Sequence, residues 1–420
     1  MNPRNRNILI SGGGIAGPAL AYWLHRYGFT PTIVERAPAV RTGGQRIEMS
    51  GIGIEAFHHM GITEQVRAAG GPPPTWTLFA GAADRPVDLN FWMTNPPSEV
   101  DRGSTSGSGA GGDGDVAIKR GALCDILYNQ VRGKVDYIFD DSIIGIRQSD
   151  DGVEVTFETA GPGRFDLVIG ADGLHSNVRS LVFGDSGKYT RFLGTNLAIF
   201  TVDNYLGHRN TTWWHVWPYR GCAITTFPGN TELEGALLIR SKRPLDVRHL
   251  SREEQMRFVE KIFGNDGWEI PRLLRAMRDS PDFHFAPSRQ IRMDSWSRGR
   301  VALVGDAGYC PDPMTGFGSC LAMAGAHILA GELRAAGGDH TIALPAYEEA
   351  MRAIVPAGQG IADFSTSFFA PRAGRTGVWA LEQVMRAMSV LSRLGARAGL
   401  HPRTWDPTAE LSLRSYESPA

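Results

Sequence analysis

Residues 8–17 read ILISGGGIAG, and this stretch constrains the fold more than any other. An apolar run ends in Gly12, Gly14 and Gly17, with Ile15 and Ala16 between them. A helical pattern follows through Ala19, Leu20, Tyr22, Trp23 and Leu24. A second apolar run, TPTIVE, closes on Glu35. Strand, glycine turn, helix, strand and acid in that order make a dinucleotide-binding unit. Gly12 permits the tight turn, Gly14 lets the backbone approach a pyrophosphate, and Gly17 lets helix and strand pack closely. The helix N-terminus offers unpaired N–H groups and a positive dipole end to phosphate. The Glu35 carboxylate suits a ribose diol and would repel a 2′-phosphate.

Two later segments point to a long ligand. Residues 165–179 read FDLVIGADGLHSNVR, a buried strand pattern that ends in Gly170 and turns at Asp172-Gly173. Residues 299–321 read GRVALVGDAGYCPDPMTGFGSCL. Here a strand through Val304 ends in Gly305-Asp306, a Pro/Gly loop follows, and a helix opens near Gly316 to Gly318. Two carboxylates after strand ends, far apart in sequence, suit one extended ligand at the C-terminal edge of a parallel sheet.

Together with the segments GGQRIEM and IKRGALCDIL, these motifs resemble the class A flavoprotein monooxygenases, the family of p-hydroxybenzoate hydroxylase and the tetracycline-modifying monooxygenases. The resemblance covers most of the chain. It implies non-covalent FAD, with NAD(P)H as a transient co-substrate. It implies that Glu35 and the neighbouring Arg36 serve the adenosine end, and that Arg120 lies near the diphosphate or ribityl chain. Asp306 would bind the ribityl hydroxyls, Arg46 would lie near the isoalloxazine, and Asp172-Gly173 would support both nucleotides. One departure is Gly308-Tyr309, where the family often carries Ala-His. The implied fold is α/β, a Rossmann-like FAD-binding lobe with a mixed β-sheet substrate lobe and a C-terminal helix. The implied reaction is insertion of one oxygen atom from dioxygen into a bulky natural product. In that setting Pro313, Gly316 and Gly318 would turn backbone N–H groups and a helix start toward the flavin pyrimidine edge, where negative charge gathers on reduction.

The motifs divide the chain discontinuously. Residues 1–73, 99–182 and 286–365 read as the FAD-binding domain. Residues 74–98 and 183–285 read as the substrate lobe, with strand patterns TWTLFAG, VDLNFWM, NLAIFTV, TTWWHVWP, CAITTF and GALLIRS. The stretch DRGSTSGSGAGGDGD, residues 101–115, lacks the apolar side chains to fold alone and reads as an inserted loop. Residues 366–420 read as a helical tail. Its apolar positions Leu381, Val384, Met385, Met388 and Leu391 would pack on the body or, alternatively, form a dimer face.

The aromatic cluster at 213–227 is the expected substrate wall. On a strand, Trp213, His215 and Trp217 share one face and Trp214 and Val216 the other. Trp213, His215, Trp217, Phe227 and Pro313 are therefore the expected substrate contacts, and His215 is the titrating group that could position or deprotonate a phenol or enol. Halogenases of the same fold carry WxWxIP and a catalytic Lys; Trp213 to Pro218 fails that spacing. A dehydrogenase of the same fold and a non-oxygenating flavin-bound accessory protein are the competing readings.

Composition excludes other classes. With 43 Lys and Arg against 44 Asp and Glu, the chain has no charge excess to hold a nucleic acid. Four Cys at 124, 222, 310 and 320 lack metal or disulfide-framework spacing. No apolar run reaches membrane-spanning length. The leading MNPRNRN runs straight into the first strand without a signal-peptide pattern, which points to a cytoplasmic protein; a monomer or a homodimer is expected.

Overall fold

A computed structural model describes residues 4–41, 43–81, 83–90, 114–247, 249–397 and 411–416. The strand Asn7–Ser11 lies in the middle of a six-stranded sheet because its apolar run is buried from both sides. It pairs in parallel with Leu167–Gly170 on one edge and with Thr30–Glu35 on the other. Val301–Leu303 continues the sheet beyond 167–170, and Asp136–Phe139 continues it beyond 30–35, both in parallel. The chain therefore leaves the central strand in opposite directions, and this reversal opens a crevice at the strand ends. The helices Ala16–Arg26 and Gly318–Ala335 pack together on this sheet.

The second large sheet has seven strands. In spatial order they are His284–Ile291, Thr190–Asp203, Glu232–Arg240, Arg220–Thr226, Thr211–Trp217, Thr75–Ala80 and Ala83–Asp88. Both faces are covered, so its strands read as nearly continuous apolar runs instead of a clean alternation. One face carries Phe200, Trp217, Cys222, Ile224 and Leu237. It packs under the helices Arg252–Phe263 and Ile270–Asp279. The other carries Leu197, Ile199, Trp214, Ala223, Ala236 and Leu238. It meets Phe368 and Phe369, with Met314 packed against it.

A short two-stranded antiparallel sheet joins the two bodies. Arg46–Met49 pairs antiparallel with Val116–Lys119, and the Arg46 N–H donates to the Glu234 carboxylate at 2.8 Å. Residues 143–165 add a separate three-stranded sheet that sequence patterning did not single out. The expected strand VDLNFWM begins earlier, as Ala83–Asp88, and residues past Asn90 lie outside the described residues. Most of the Gly/Ser/Asp stretch at 101–115 lies outside them as well. No helix is long and apolar enough to cross a membrane among the described residues.

Candidate flavin site

The glycine turn is dictated by contact. Gly12 has φ of +113°, and a Cβ there would meet the Ala171 carbonyl oxygen at 2.4 Å. A Cβ on Gly17 would sit 1.9 Å from the Gly12 carbonyl oxygen. Neither position accepts a side chain. Gly14 differs: a Cβ there would meet only the Arg120 guanidinium, at 3.7 Å. Its constraint does not come from the protein and fits the close approach of a ligand. The helix that follows has no side-chain N-cap and no acid in its first turn, so its leading N–H groups face the crevice uncompensated.

Glu35 ends its strand beside this turn. Its carboxylate accepts from Gly13 N at 2.6 Å and from Ala37 N at 2.9 Å. Both bonds orient it, and a carboxylate has lone pairs left for two ribose hydroxyls. Arg36, the next residue, is exposed and lines a surface hollow with Asp140, Asp141 and Glu158. Arg120 opens the helix Arg120–Val131, and its backbone N–H donates to Gln45 O at 3.0 Å. Its positive charge acts on the Asp306 carboxyl.

The two later motifs arrive at the same crevice. Gly305, at φ +67°, lies where a Cβ would meet Ala16 Cβ at 3.2 Å. Asp306 follows, and a Cβ on Gly318 would lie 3.6 Å from its Oδ1. Burial pushes the Asp306 carboxyl above the usual carboxylate range, while Arg120 and Arg179 oppose the shift. Asp172 Oδ2 accepts from the N–H groups of Asn177 and Val178 at 2.8 and 3.1 Å, while Oδ1 is buried without a partner among the described residues. Burial raises its carboxyl too. Gly173, at φ +79°, leaves open space beside it.

Arg179 locks these segments together, and sequence reasoning did not single it out. It is 1% exposed, and its guanidinium donates to Ala307 O at 2.7 Å and Leu174 O at 2.6 Å. It thus ties the Asp172-Gly173 turn to the Gly305-Asp306 turn. The available signal was an Arg in the first turn of the helix that Ser176 caps.

The Pro313–Gly318 loop is held from below. Asp312 is buried at φ +95° and accepts from Met314 N at 2.9 Å. Burial pushes its carboxyl up to about 7. Gln290, at the end of the outer strand of the second sheet, donates to Pro311 O at 3.0 Å. Pro313 and Gly316 are exposed at the tip. The helix Gly318–Ala335 starts with neither a side-chain cap nor an acid in its first turn, so it too presents free N–H groups.

Tyr309 points away from this crevice. Its ring packs on Trp296, and its hydroxyl accepts from Tyr347 at 3.1 Å. A Cβ on Gly325 would lie 1.9 Å from that hydroxyl, so the tyrosine fills the space a glycine leaves in the helix.

The expected substrate wall needs correction. Trp213, His215 and Trp217 do share a face, but it is the face under the helices 252–279, away from Met314. His215 is 2% exposed, stacks on Trp217 at 3.9 Å and bonds Gly81 O through Nε2 at 2.9 Å. It sits in the core with Nε2 engaged, and this burial argues against the expected catalytic role. Covering helices turn an aromatic strand face into core as readily as into a cavity, and strand alternation alone does not say which face is covered. Phe227 is buried under the Lys119 ammonium at 4.7 Å, where Lys119 also pairs with Glu232 at the seam between the bodies. Arg46 occupies the same seam. Its side chain is 8% exposed, and its guanidinium lies 2.7 Å from Glu48.

The face that meets Met314 carries a polar row instead. Thr212, Thr225 and Glu234 are in register across three strands. Thr212 donates to Thr225 at 3.1 Å, and both are almost wholly buried. Burial pushes Glu234 up to about 6, with Arg46 opposing the shift.

Comparison with known proteins agrees with this geometry. The family model described as FAD binding domain matches residues 5–357. A flavin-dependent monooxygenase of Legionella longbeachae serogroup 1 (strain NSW150) is 36% identical over 358 residues, 85% of this chain and 87% of that protein. An uncharacterized protein of Mycobacterium tuberculosis (strain ATCC 25618 / H37Rv) is 40% identical over 84% of this chain and 92% of its own. Among solved structures, the tetracycline destructase Tet(55) superposes with a TM-score of 0.75 at 32% identity, covering 96% of this chain and all of that one (100%). The chain belongs to the FAD-binding-domain family and is an FAD-dependent monooxygenase of class A.

Proposed function

We propose that this monooxygenase takes a hydride from NAD(P)H and inserts one oxygen atom into a bulky, phenolic or enolic polycyclic substrate, by hydroxylation, epoxidation or Baeyer–Villiger insertion. The observation that carries the substrate class is the row of buried Thr212 and Thr225 with partly exposed Glu234 on the sheet face that meets Met314. The tetracycline destructase likeness supports the same class.

Bound FAD supplies the redox and oxygen chemistry. The protein's share is placement. Glu35 would take the adenosine ribose, the Gly12–Gly17 turn and Arg120 the diphosphate, and Asp306 the ribityl hydroxyls. Gly318 and the helix it opens would direct N–H groups at the pyrimidine edge, where they favour negative charge. Pro313 and Met314 would bound the reacting space on one side, and the polar row on the other. Glu234 Oε2 is held by Arg46 N–H. Its Oε1 can take the proton of a phenol or enol, and a group poised near 6 suits that exchange near neutral pH. Closure of the crevice would keep water from the reacting atoms. The hydride donor would dock transiently beside Asp172-Gly173, over a hollow lined by His175, Thr190 and Arg289, where the Arg289 guanidinium would face its phosphates.

The test is NAD(P)H oxidation by the FAD-loaded protein with tetracycline and a panel of polycyclic phenols. A substrate-dependent rise in rate with a product heavier by one oxygen is the expected result. Oxidised product without oxygen gain would instead establish the dehydrogenase reading.

A further inference from the structure

The helix Arg375–Arg397 carries a large apolar surface on the side turned away from the body as well as on the side that packs against it. Its charged and polar positions Glu382, Arg386, Ser389 and Arg393 lie on or beside the side that faces the body. Glu382 and Ser389 are buried, Arg386 bonds Glu382 and Arg85 O, and Arg393 bonds Ser389. The opposite side carries Trp379, Val384, Met388, Val390, Leu391 and Leu394, all between 40% and 67% exposed. Between them stand Ala380, Gln383 and Ala387, so from Trp379 to Leu394 this face carries no charged residue. Water-facing helix sides carry charge, and a contiguous apolar patch of this size marks an interface.

We propose that this face pairs with the same helix of a second copy, antiparallel about a two-fold axis through Ala387. About that point two pairs match a large residue with a small one. Ala380 and Leu394 lie seven positions either side of Ala387, and Trp379 and Gly395 lie eight either side. A two-fold axis there sets each Leu394 over the other copy's Ala380 and each Trp379 over the other's Gly395. Val384 falls opposite Val390, and the two Ala387 residues meet on the axis, where a small side chain lets the backbones approach. Large residues meeting small ones is what an isologous interface requires.

Area and charge favour a second copy over other occupants. The six exposed large side chains would hide on the order of 1,000 Å² in a symmetric pair, the lower limit for a specific interface. An acidic or basic partner would find nothing to pair with. A lipid surface would need a cationic belt, and Arg386 and Arg393 are engaged within the chain. The pairing also bears on the site. Val378, Leu381 and Met385 of this helix pack into the cluster that holds Trp76, Trp214 and Met314. A second copy would brace that wall from outside.

The test is the mass in solution of the FAD-loaded full-length protein, by sedimentation at micromolar concentration. Twice the chain mass is expected. Ala387→Glu sets two carboxylates together on the axis and should raise the dimer dissociation constant roughly 100-fold or more, with FAD retained. Ala380→Leu alone should weaken the dimer, and adding Leu394→Ala should restore it. That rescue separates pairing from folding. A monomeric wild type overturns the proposal, whether or not it binds phosphatidylcholine vesicles. A dimer indifferent to Ala387→Glu, or no rescue in the paired variant, overturns it as well.

Discussion

The Gly13 backbone N–H donates to the Glu35 carboxylate at 2.6 Å, and this bond joins the glycine turn to the acid 22 residues later. Neither could do its work alone. The turn would leave a donor aimed at nothing, and the acid would swing away from the crevice. Together they would fix one end of the proposed FAD site before any ligand arrives.

The glycines of that turn separate into two kinds, which an alanine pair exposes. Gly17→Ala drives a methyl to 1.9 Å from a backbone oxygen and should cost about 3 kcal/mol or more of stability. Gly14→Ala meets no protein atom closer than 3.7 Å. It should leave apoprotein melting unchanged while FAD binding weakens. Calorimetry of the apo variants beside FAD titration checks both, and equal destabilisation would refute the distinction.

Asp306 should serve the ligand more than the fold. Burial raises its carboxyl, so the apoprotein gains nothing from the charge. Asp306→Ala should hold or raise the apo melting temperature and weaken FAD binding by about 10- to 150-fold, the loss of a charge-assisted hydrogen bond. Fluorescence quenching on titration with FAD reads the second effect.

Asp312 should make stability depend on pH. In the unfolded chain it titrates near about 4; in the folded protein burial holds it at about 7. Between these values the folded state keeps a proton that the unfolded chain has lost, so this group's contribution to stability is complete below about 4. It falls as pH rises and levels off above about 7. Asp312→Asn keeps the acceptor for Met314 N and carries no charge. Its melting temperature should exceed that of the wild type at pH 8, with the gap closing toward pH 5. A gap that widens at low pH would contradict this account.

Trp217 should behave as core. Its ring lies between His215 and Phe263, 8% exposed. Trp217→Ala should cost about 3–5 kcal/mol in denaturant unfolding without changing FAD affinity below the transition. Normal stability with altered coupling of NAD(P)H oxidation would return this residue to the substrate wall.

The nucleotide lobe was legible in the sequence because its constraints are local. A glycine that must avoid a neighbouring carbonyl, an acid closing the next strand and a carboxylate after a buried strand each leave a mark within a few residues. Gly12, Gly17, Glu35, Asp172 and Asp306 all lie where ILISGGGIAG and the two later motifs put them, around one crevice. The substrate side was not legible. Alternation shows that Trp213, His215 and Trp217 share a face, but which face is covered by helices 252–279 and which meets Met314 is set by elements far away in the chain. Arg179 is likewise an ordinary helix residue in sequence and becomes a clamp only when Ala307 folds against it. The tail was half legible: its 3.6-residue period fixed a helix, while the exposure of its apolar side is a property of how the body receives it. Sequence determines what the backbone must do locally. Which surfaces meet is decided by packing across the whole molecule, where hydrophobic burial is indifferent to sequence distance.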